Sequence, residues 1–579
     1  MKLSAYLAQR LAEYGVKVVF GYQGSSVSHL IDSLSTHGQI HFVETRHEQA
    51  AAFAANGYAL SSGEMGVALS CSGPGVTNLV TGIANAFFDS VPCLFLAGQV
   101  STPELKKDPQ MRQLGFQEMD VVSLTESVTK YSVTVRDPQR IAYELEKAVF
   151  MMRDGRPGPV LLDIPHNVQG SQIDPDTLEH FEAPETGAEN CAADAVRQAV
   201  ADLAQSVRPV ILLGGGSREL LKHPQLLSYL EGLGIPLVTS YRGKDVVDNN
   251  SPVYCGTLGV YGDRCANWAV KYCDCLLVLG SRLDGRQTGD GQEALAKDAK
   301  ITVVDIDPVE LRAMPDRYGK ICCDVVEFVR KMAEMALISR CNQWLRVVKS
   351  WRSDYPDHAE YPIADGVNPN GLLNCISENA AVDAVFSLDV GQNQLWGNTS
   401  LHLGGKQSLL QSCGLGSMGF ALPAAIGGYY ATNTPSVCIC GDGGFQMNLQ
   451  ELQTVACYRI PVKIFVMNNQ SLGLIRIYQN KALQGRHYGS VIGFGSPDYR
   501  QLALAYGISY AKIEDNDFSG KVAELLSTEG PCLIEVCVSP ESTNYPEPTY
   551  RSTIDNQSLE LSECEKLKIK ETAYAVGNE

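Results

Sequence analysis

Two apolar runs joined through an acidic glycine turn constrain this chain more than any other feature. Ser436-Val437-Cys438-Ile439-Cys440 reads as a buried strand, and Gly441-Asp442-Gly443-Gly444-Phe445 follows it directly. A helical stretch begins near Leu449, and a second buried run over 461–467 delivers Asn468-Asn469. This is the length of one strand–helix–strand unit, so Asp442 and Asn469 emerge at the same end of neighbouring parallel strands. Glycines after Asp442 let the backbone approach a phosphate closely. Mg²⁺ demands oxygen ligands and accepts phosphate oxygens alongside one or two from protein. Asp442, the Asn469 side chain and a backbone carbonyl near Ser471 are therefore the expected metal ligands of a metal–diphosphate clamp, with Gly443 and Gly444 against the phosphates. The alternative is an ordinary strand–turn–helix in which Asp442 caps the helix.

The rest of the 579 residues alternates short apolar runs with helical patterns in three stretches, which predicts an α/β protein of three doubly wound parallel-sheet domains. The expected bounds are 1–168, 190–335 and 365–540. A polar tail, 541–579, remains open between a lid, an arm and a disordered end. The formal net charge of −18 argues against nucleic acid and anionic membranes as partners. The 18 cysteines include no C-x-x-C pair, which favours buried free thiols in a reducing cytoplasm over disulfides or zinc. The N-terminus opens an amphipathic helix rather than a signal peptide, and no run of about twenty apolar residues predicts a membrane span.

Further blocks stand in order along the chain: Gly21-Tyr22-Gln23-Gly24, Arg46-His47-Glu48-Gln49, Ser72-Gly73-Pro74-Gly75, Phe116-Gln117-Glu118, Gly155-Arg156-Pro157-Gly158-Pro159, Asp389-Val390-Gly391-Gln392 and Gly414-Leu415-Gly416-Ser417-Met418-Gly419. Together with the acidic glycine turn they resemble the acetolactate synthase family of thiamine-diphosphate enzymes over residues 1 to about 540. The resemblance implies thiamine diphosphate and Mg²⁺ lying across the interface of a homodimer or homotetramer. Glu48 would share a proton with the cofactor's pyrimidine and so promote deprotonation at thiazolium C2. Met418 would prop the cofactor in a bent shape, and Gly416 would offer a carbonyl to its amine. Val390, Gly391, Gln392 and Asn393 would line the diphosphate; Asn393 stands where the family usually carries His. Phe116, Gln117 and Gly24 would shape the 2-keto acid pocket. The middle region resembles a flavin domain, with Thr239, Gly259, Arg282, Asp284, Arg286, Asp305 and Asp324 expected to hold FAD through glycine turns, helix N-termini and arginine–pyrophosphate pairing.

The implied reaction is decarboxylation of pyruvate and transfer of the two-carbon hydroxyethyl unit to a carbonyl acceptor. A second 2-keto acid as acceptor gives acetolactate. Three departures from the family pattern fall on the acceptor side: Tyr478 in place of a usual Trp, Gln23-Gly24-Ser25-Ser26 in place of Pro-Gly-Gly-Ala, and the segment 544–550. Tyr478, Ser25 and Ser26 would make the acceptor pocket more polar, so a keto-deoxysugar nucleotide is an alternative acceptor. A flavin-dependent pyruvate oxidase is a third reading.

Overall fold

The computed structural model describes every residue except 185–190, 336–341, 361–364, 549–551, 560 and 578–579. Its frame is three six-stranded sheets. The first holds β1 (Val18–Gly21), β2 (His41–Glu44), β3 (Gly66–Ser70), β4 (Cys93–Gln99), β5 (Tyr131–Thr134) and β6 (Val160–Pro165), in the order β2-β1-β3-β4-β6-β5. The second holds β7 (Pro209–Leu213), β8 (Leu237–Thr239), β9 (Tyr254–Thr257), β10 (Cys275–Leu279), β11 (Lys300–Asp305) and β12 (Gly319–Cys322), in the order β12-β11-β10-β7-β8-β9. The third holds β13 (Val385–Leu388), β14 (Ser408–Gln411), β15 (Ser436–Gly441), β16 (Val462–Asn468), β17 (Ser509–Ile513) and β18 (Cys532–Cys537), in the order β14-β13-β15-β16-β18-β17. All pairings within these sheets are parallel. The central strands β3, β4, β6, β7, β10 and β16 are buried along their whole length. That is why their sequences run apolar without alternation: helices cover both faces.

The first and third sheets meet through helices. α1 (Glu48–Ser62) and α2 (Pro74–Phe88) belong to the first, and α3 (Ala421–Thr432) to the third. α1 is rich in alanine and buried on nearly every side, so it packs as a core helix rather than an amphipathic one. At its crossing with α3 the backbones touch. A Cβ on Gly57 would lie 2.3 Å from the Ala424 carbonyl oxygen, and one on Gly427 would lie 1.9 Å from that of Ala54. Two further helices carry the site, α4 (Asp442–Met447) and α5 (Gly473–Ala482).

The tail starts against the third region, where Trp396 Nε1 donates to the Thr543 carbonyl at 3.1 Å, and then packs on the second sheet's outer layer. After a short antiparallel pair, β19 (Glu547–Pro548) with β20 (Gln557–Ser558), comes α6 (Glu563–Ala575). Ile554, Ile569, Ala573 and Val576 join the core around Trp268, Trp344 and Trp351. Asn267 Nδ2 donates to the Ile554 carbonyl at 2.9 Å, and Gln557 Nε2 donates to that of Gly262 at 2.9 Å. Among the described residues, no helix is long and apolar enough to cross a membrane.

Candidate active site at the strand ends of the first and third sheets

β15 ends at Gly441 and α4 begins at Asp442, so the Asp442 carboxylate sits where the strand's C-terminal edge meets a helix start. It accepts from its own neighbour's N–H, Gly443, at 2.8 Å. The N–H groups of Gln470 and Ser471 and the Ser496 hydroxyl also face it, while burial, the dominant cause, pushes the carboxyl up to about 6. β16 delivers Asn469 to the same spot. Its Oδ1 accepts from Ser471 N at 3.2 Å, and its Nδ2 donates to Gln392 Oε1 at 2.8 Å. Gln392 Nε2 in turn donates to the Ser542 carbonyl at 3.0 Å. Gln470 takes a left-handed φ of 55° to make this turn.

The neighbouring backbone closes in around the clamp. A Cβ on Gly443 would stand 2.4 Å from Leu472 Cδ2 and 3.4 Å from Met418 Cε, and one on Gly416 would stand 3.6 Å from Val390 Cγ2. Gly443 is thus a neighbour of Met418, and Gly416 of Val390. Asn393 Oδ1 lies 3.1 Å from the Cβ position of both Gly391 and Gly441, and Asn393 Nδ2 donates to the Asp389 carbonyl at 2.6 Å. A Cβ on Gly444 would meet Asp389 Oδ1 at 2.7 Å. Asp389 accepts from the N–H groups of Val390, Gly419 and Ala421, which ties the 389–391 turn to the 414–421 turn.

Glu48 opens α1 and is nearly buried. Its Oε2 accepts from Asn78 Nδ2 at 2.9 Å, and its Oε1 lies 3.3 Å from the Cβ position of Gly75. Among the described residues of one chain no hydrogen bond joins Glu48 to the clamp. Gly24 runs extended beside the same place, where a Cβ would strike Cys71 Sγ at 2.5 Å. Phe116 is 84 % exposed, and Gln117 holds a left-handed φ of 65° with its carbonyl against Gly73.

The middle sheet has the order 3-2-1-4-5-6, whose crevice opens between β7 and β10. A cavity of about 710 Å³ lies there, lined by Gly215, Gly216, Gly280, Arg282, Asp284, Asp305 and Asp324, with Ser240, Arg242 and Arg218. A Cβ on Gly214 would lie 2.1 Å from the Gly280 carbonyl oxygen, so the two turns are glycine by necessity. Arg242 is half-buried, and its Nε and Nη1 lie out of solvent with no hydrogen-bond partner.

Comparison with known proteins identifies the family. The thiamine pyrophosphate enzyme N-terminal TPP binding domain matches residues 1–124, the central domain 196–332 and the C-terminal TPP binding domain 389–536. The acetolactate synthase large subunit of Cyanidium caldarium is 36 % identical over 561 residues, covering 93 % of this chain and 94 % of that protein. The isozyme 2 large subunit of Escherichia coli (strain K12) is 35 % identical over 545 residues, covering 93 % and 96 %. The chain belongs to the acetolactate synthase family of thiamine pyrophosphate enzymes.

As a member of that family it is a thiamine-diphosphate-dependent, C–C bond-forming transferase of acetolactate synthase type. The remaining residues read from the sequence lie as follows. Ser26 is buried, and its hydroxyl accepts from Ser72 N at 2.9 Å inside its own sheet layer. Ser25 and Tyr478 stand exposed. Thr239 is fully buried beside Thr257 Oγ1, and Gly259 is engaged on both backbone groups by Asn267. Arg286 lies over the Tyr241 ring and reaches Gln394 across to the third sheet's layer. Of the segment 544–550, Thr549 and Tyr550 lie outside the described residues. Sequence reasoning passed over Arg242 and Arg218, which sit in no glycine motif, and gave no role to Asp389 although it heads the Asp389-Val390-Gly391-Gln392 block.

Proposed function

We propose that the cleft between Asp442, Asn469 and Ser471 holds the diphosphate of thiamine diphosphate through Mg²⁺, and that the enzyme uses pyruvate as its two-carbon donor. One observation carries the reading. A carboxylate, an amide oxygen and a turn of backbone converge at the end of two parallel strands, with glycines where phosphate needs room. The bound cofactor supplies a nucleophilic thiazolium carbon that takes up the electrons released when a 2-keto acid loses CO₂. The chain's own residues do the rest. Asp442 and Asn469 present oxygens to the cation, Gly443 and Gly444 allow close backbone approach, and Met418 buttresses the cleft. Glu48 holds or releases a proton at the pyrimidine nitrogen. Gln117 and Gly24 border the position of the keto acid.

The acceptor reading is a second 2-keto acid, giving acetolactate. The exposed hydroxyls of Ser25 and Tyr478 favour a keto-deoxysugar nucleotide as the second reading. FAD fits the middle cavity: the Nε and Nη1 of Arg242, out of solvent and without hydrogen-bond partners, suit a pyrophosphate, and the glycine turns lie at the crevice of the sheet. Arg282, Asp305 and Asp324 would be its further contacts. If the flavin took electrons in turnover, pyruvate alone would bleach it without oxygen; a carboligase leaves it oxidised. We also read the protein as a cytoplasmic homodimer or homotetramer. Phe116, Leu415, Met447, Ile475, Tyr488 and Ile492 expose apolar surface beside the site, which a second copy would cover.

Asp442→Ala tests the core of the proposal. Calorimetry should show loss of Mg²⁺-dependent thiamine diphosphate binding, because the cleft's ionisable ligand is gone. Unchanged affinity would sink the assignment.

A further inference from the structure

Glu451 lies on the third sheet's side of the molecule, nine-tenths or more out of solvent, and faces the first sheet's side. Its two carboxylate oxygens accept the Arg46 N–H at 2.9 and 3.2 Å. Oε2 also accepts from the Thr454 hydroxyl at 2.6 Å, and the His47 N–H faces the same group. Burial, opposed by these donors and by the Arg46 charge, pushes the carboxyl up to about 7. A buried carboxylate is costly unless its acceptor sites are filled. Here most of what fills them is the backbone of the turn that leads into α1.

The neighbouring contacts follow the same line. Asn448 Nδ2 donates to Gln49 Oε1 at 3.2 Å, and the Glu44 N–H donates to the Tyr458 hydroxyl at 2.9 Å. Residues 44, 46 and 49 are thus all held by one short stretch, 448–458, of the chain's own third region. Glu48 stands among them, and its carboxylate is left out of that set: its partner is Asn78. His47 closes the turn by accepting the Gln49 N–H on Nδ1 at 3.2 Å.

We propose that Glu451 is a positioning residue for Glu48: the third region grips the backbone on both sides of Glu48 and fixes where its carboxylate points. This rests on the role given to Glu48 above. Proton sharing requires heavy atoms about 2.6–3.2 Å apart, so a turn free to drift loses function without losing the carboxylate. A shift of about 1 Å typically costs about 10²-fold.

The test is exchange of the thiazolium C2 proton, followed by NMR at saturating thiamine diphosphate and Mg²⁺, in Glu48→Gln, Glu451→Gln and Tyr458→Phe. Cofactor affinity by calorimetry and the near-ultraviolet circular dichroism of the bound aminopyrimidine accompany it. Glu451→Gln keeps the side chain's shape but turns a donor toward N–H groups. It should slow exchange by roughly 10- to 100-fold with affinity unchanged within about twofold, and alter the dichroism as Glu48→Gln does. Tyr458→Phe, which removes the milder contact to Glu44 and keeps the buried carboxylate, should slow exchange about fivefold, the weight of one ordinary hydrogen bond. It decides the matter should Glu451→Gln not fold. Slowing in Glu48→Gln with wild-type exchange in Glu451→Gln, or in Tyr458→Phe where only that variant folds, would overturn the positioning role alone. Wild-type exchange in Glu48→Gln would overturn the role of Glu48 and this inference with it.

Discussion

The first and third sheets are built to one plan and carry different side chains beyond their strand ends. Numbered within each, both run 2-1-3-4-6-5. α1 follows the second strand of one and α3 the second strand of the other. Their crossing is reciprocal: Ala54 and Gly57 on α1 meet Gly427 and Ala424 on α3, so each helix offers Ala-x-x-Gly to the other. Each sheet also carries the same brace. The last residue of the fourth strand, Gln99 or Asn468, donates to a carboxylate at the fourth position of the sixth strand, Asp163 at 3.2 Å or Glu535 at 2.9 Å. The fifth strand adds a hydroxyl to each, Thr134 at 2.8 Å and Tyr510 at 2.6 Å. The halves part only beyond the strand ends. The third places Asp442 after its third strand and Asn469 after its fourth. The first places Glu48 after its second strand and Gln117 in the long loop beyond its fourth. The scaffold sets where residues emerge, and the loops set what they do.

If the two halves complete one another across two chains, the comparison breaks cleanly. A Glu48→Gln chain and an Asp442→Ala chain are each expected to be inactive alone. After subunit exchange, a statistical mixture makes half its dimers hybrid, and each hybrid has one intact site. Activity should then return to about a quarter of wild type. Carboligation assays on the mixture, with exchange confirmed by mass-tagged subunits, read this out. No recovery would place both halves of a site in one chain.

The reciprocal crossing gives the next largest effect. Gly427→Ala and Gly57→Ala each push a Cβ into a backbone oxygen, at 1.9 and 2.3 Å. Each should destabilise by about 1–3 kcal/mol or more, because backbone has no rotamer to escape into. Gly520→Ala, in the helix Ser519–Ser527 with nothing within 4 Å of the Cβ position, should be neutral or stabilising by up to about 1 kcal/mol. Urea melts of the three variants separate the cases. Equal costs at 427 and 520 would show that helix propensity, not contact, governs both.

Much of this plan was legible in the sequence for a physical reason. Fully buried parallel strands must be continuous apolar runs, so β15 and β16 announced themselves and fixed Asp442 and Asn469 at their ends. Other features left no local signal. The Ser26 hydroxyl accepts from Ser72 N, a partner too far along the chain for any local pattern to show. Arg286 reads as a phosphate ligand beside a glycine turn, and its contacts with the ring of Tyr241 and the amide of Gln394 leave no mark in the local sequence. The tail is polar because α6 packs only a few apolar residues, Ile569 and Ala573 among them, on the middle core. Glu451 was invisible as a partner of Arg46, since 405 residues separate them.

The smallest expected effect concerns the brace in the first half. Burial pushes the Asp163 carboxyl up to about 7, against hydrogen bonds from Thr134 and Gln99 that favour its ionised form. Its folded value therefore lies above the unfolded value of about 3.9, and the folded state holds a proton that the unfolded state has lost between those two pH values. The sign follows: the group's contribution to stability is fully present below about pH 4 and is lost as pH rises to about 7. Asp163→Asn keeps an oxygen for Gln99 and Thr134 but cannot ionise. The stability difference between wild type and variant should thus shift in favour of wild type as pH falls from 7 to 5, at no more than about 1.4 kcal/mol per pH unit. Urea melts at three pH values measure it. The same substitution tests what the brace is for. Gln99 Nε2 also donates to the Met119 carbonyl at 2.8 Å, at the end of the loop that carries Phe116 and Gln117. A pH-independent difference in stability would mean that Asp163 keeps its charge when folded, and that Gln99 and Thr134 outweigh its burial.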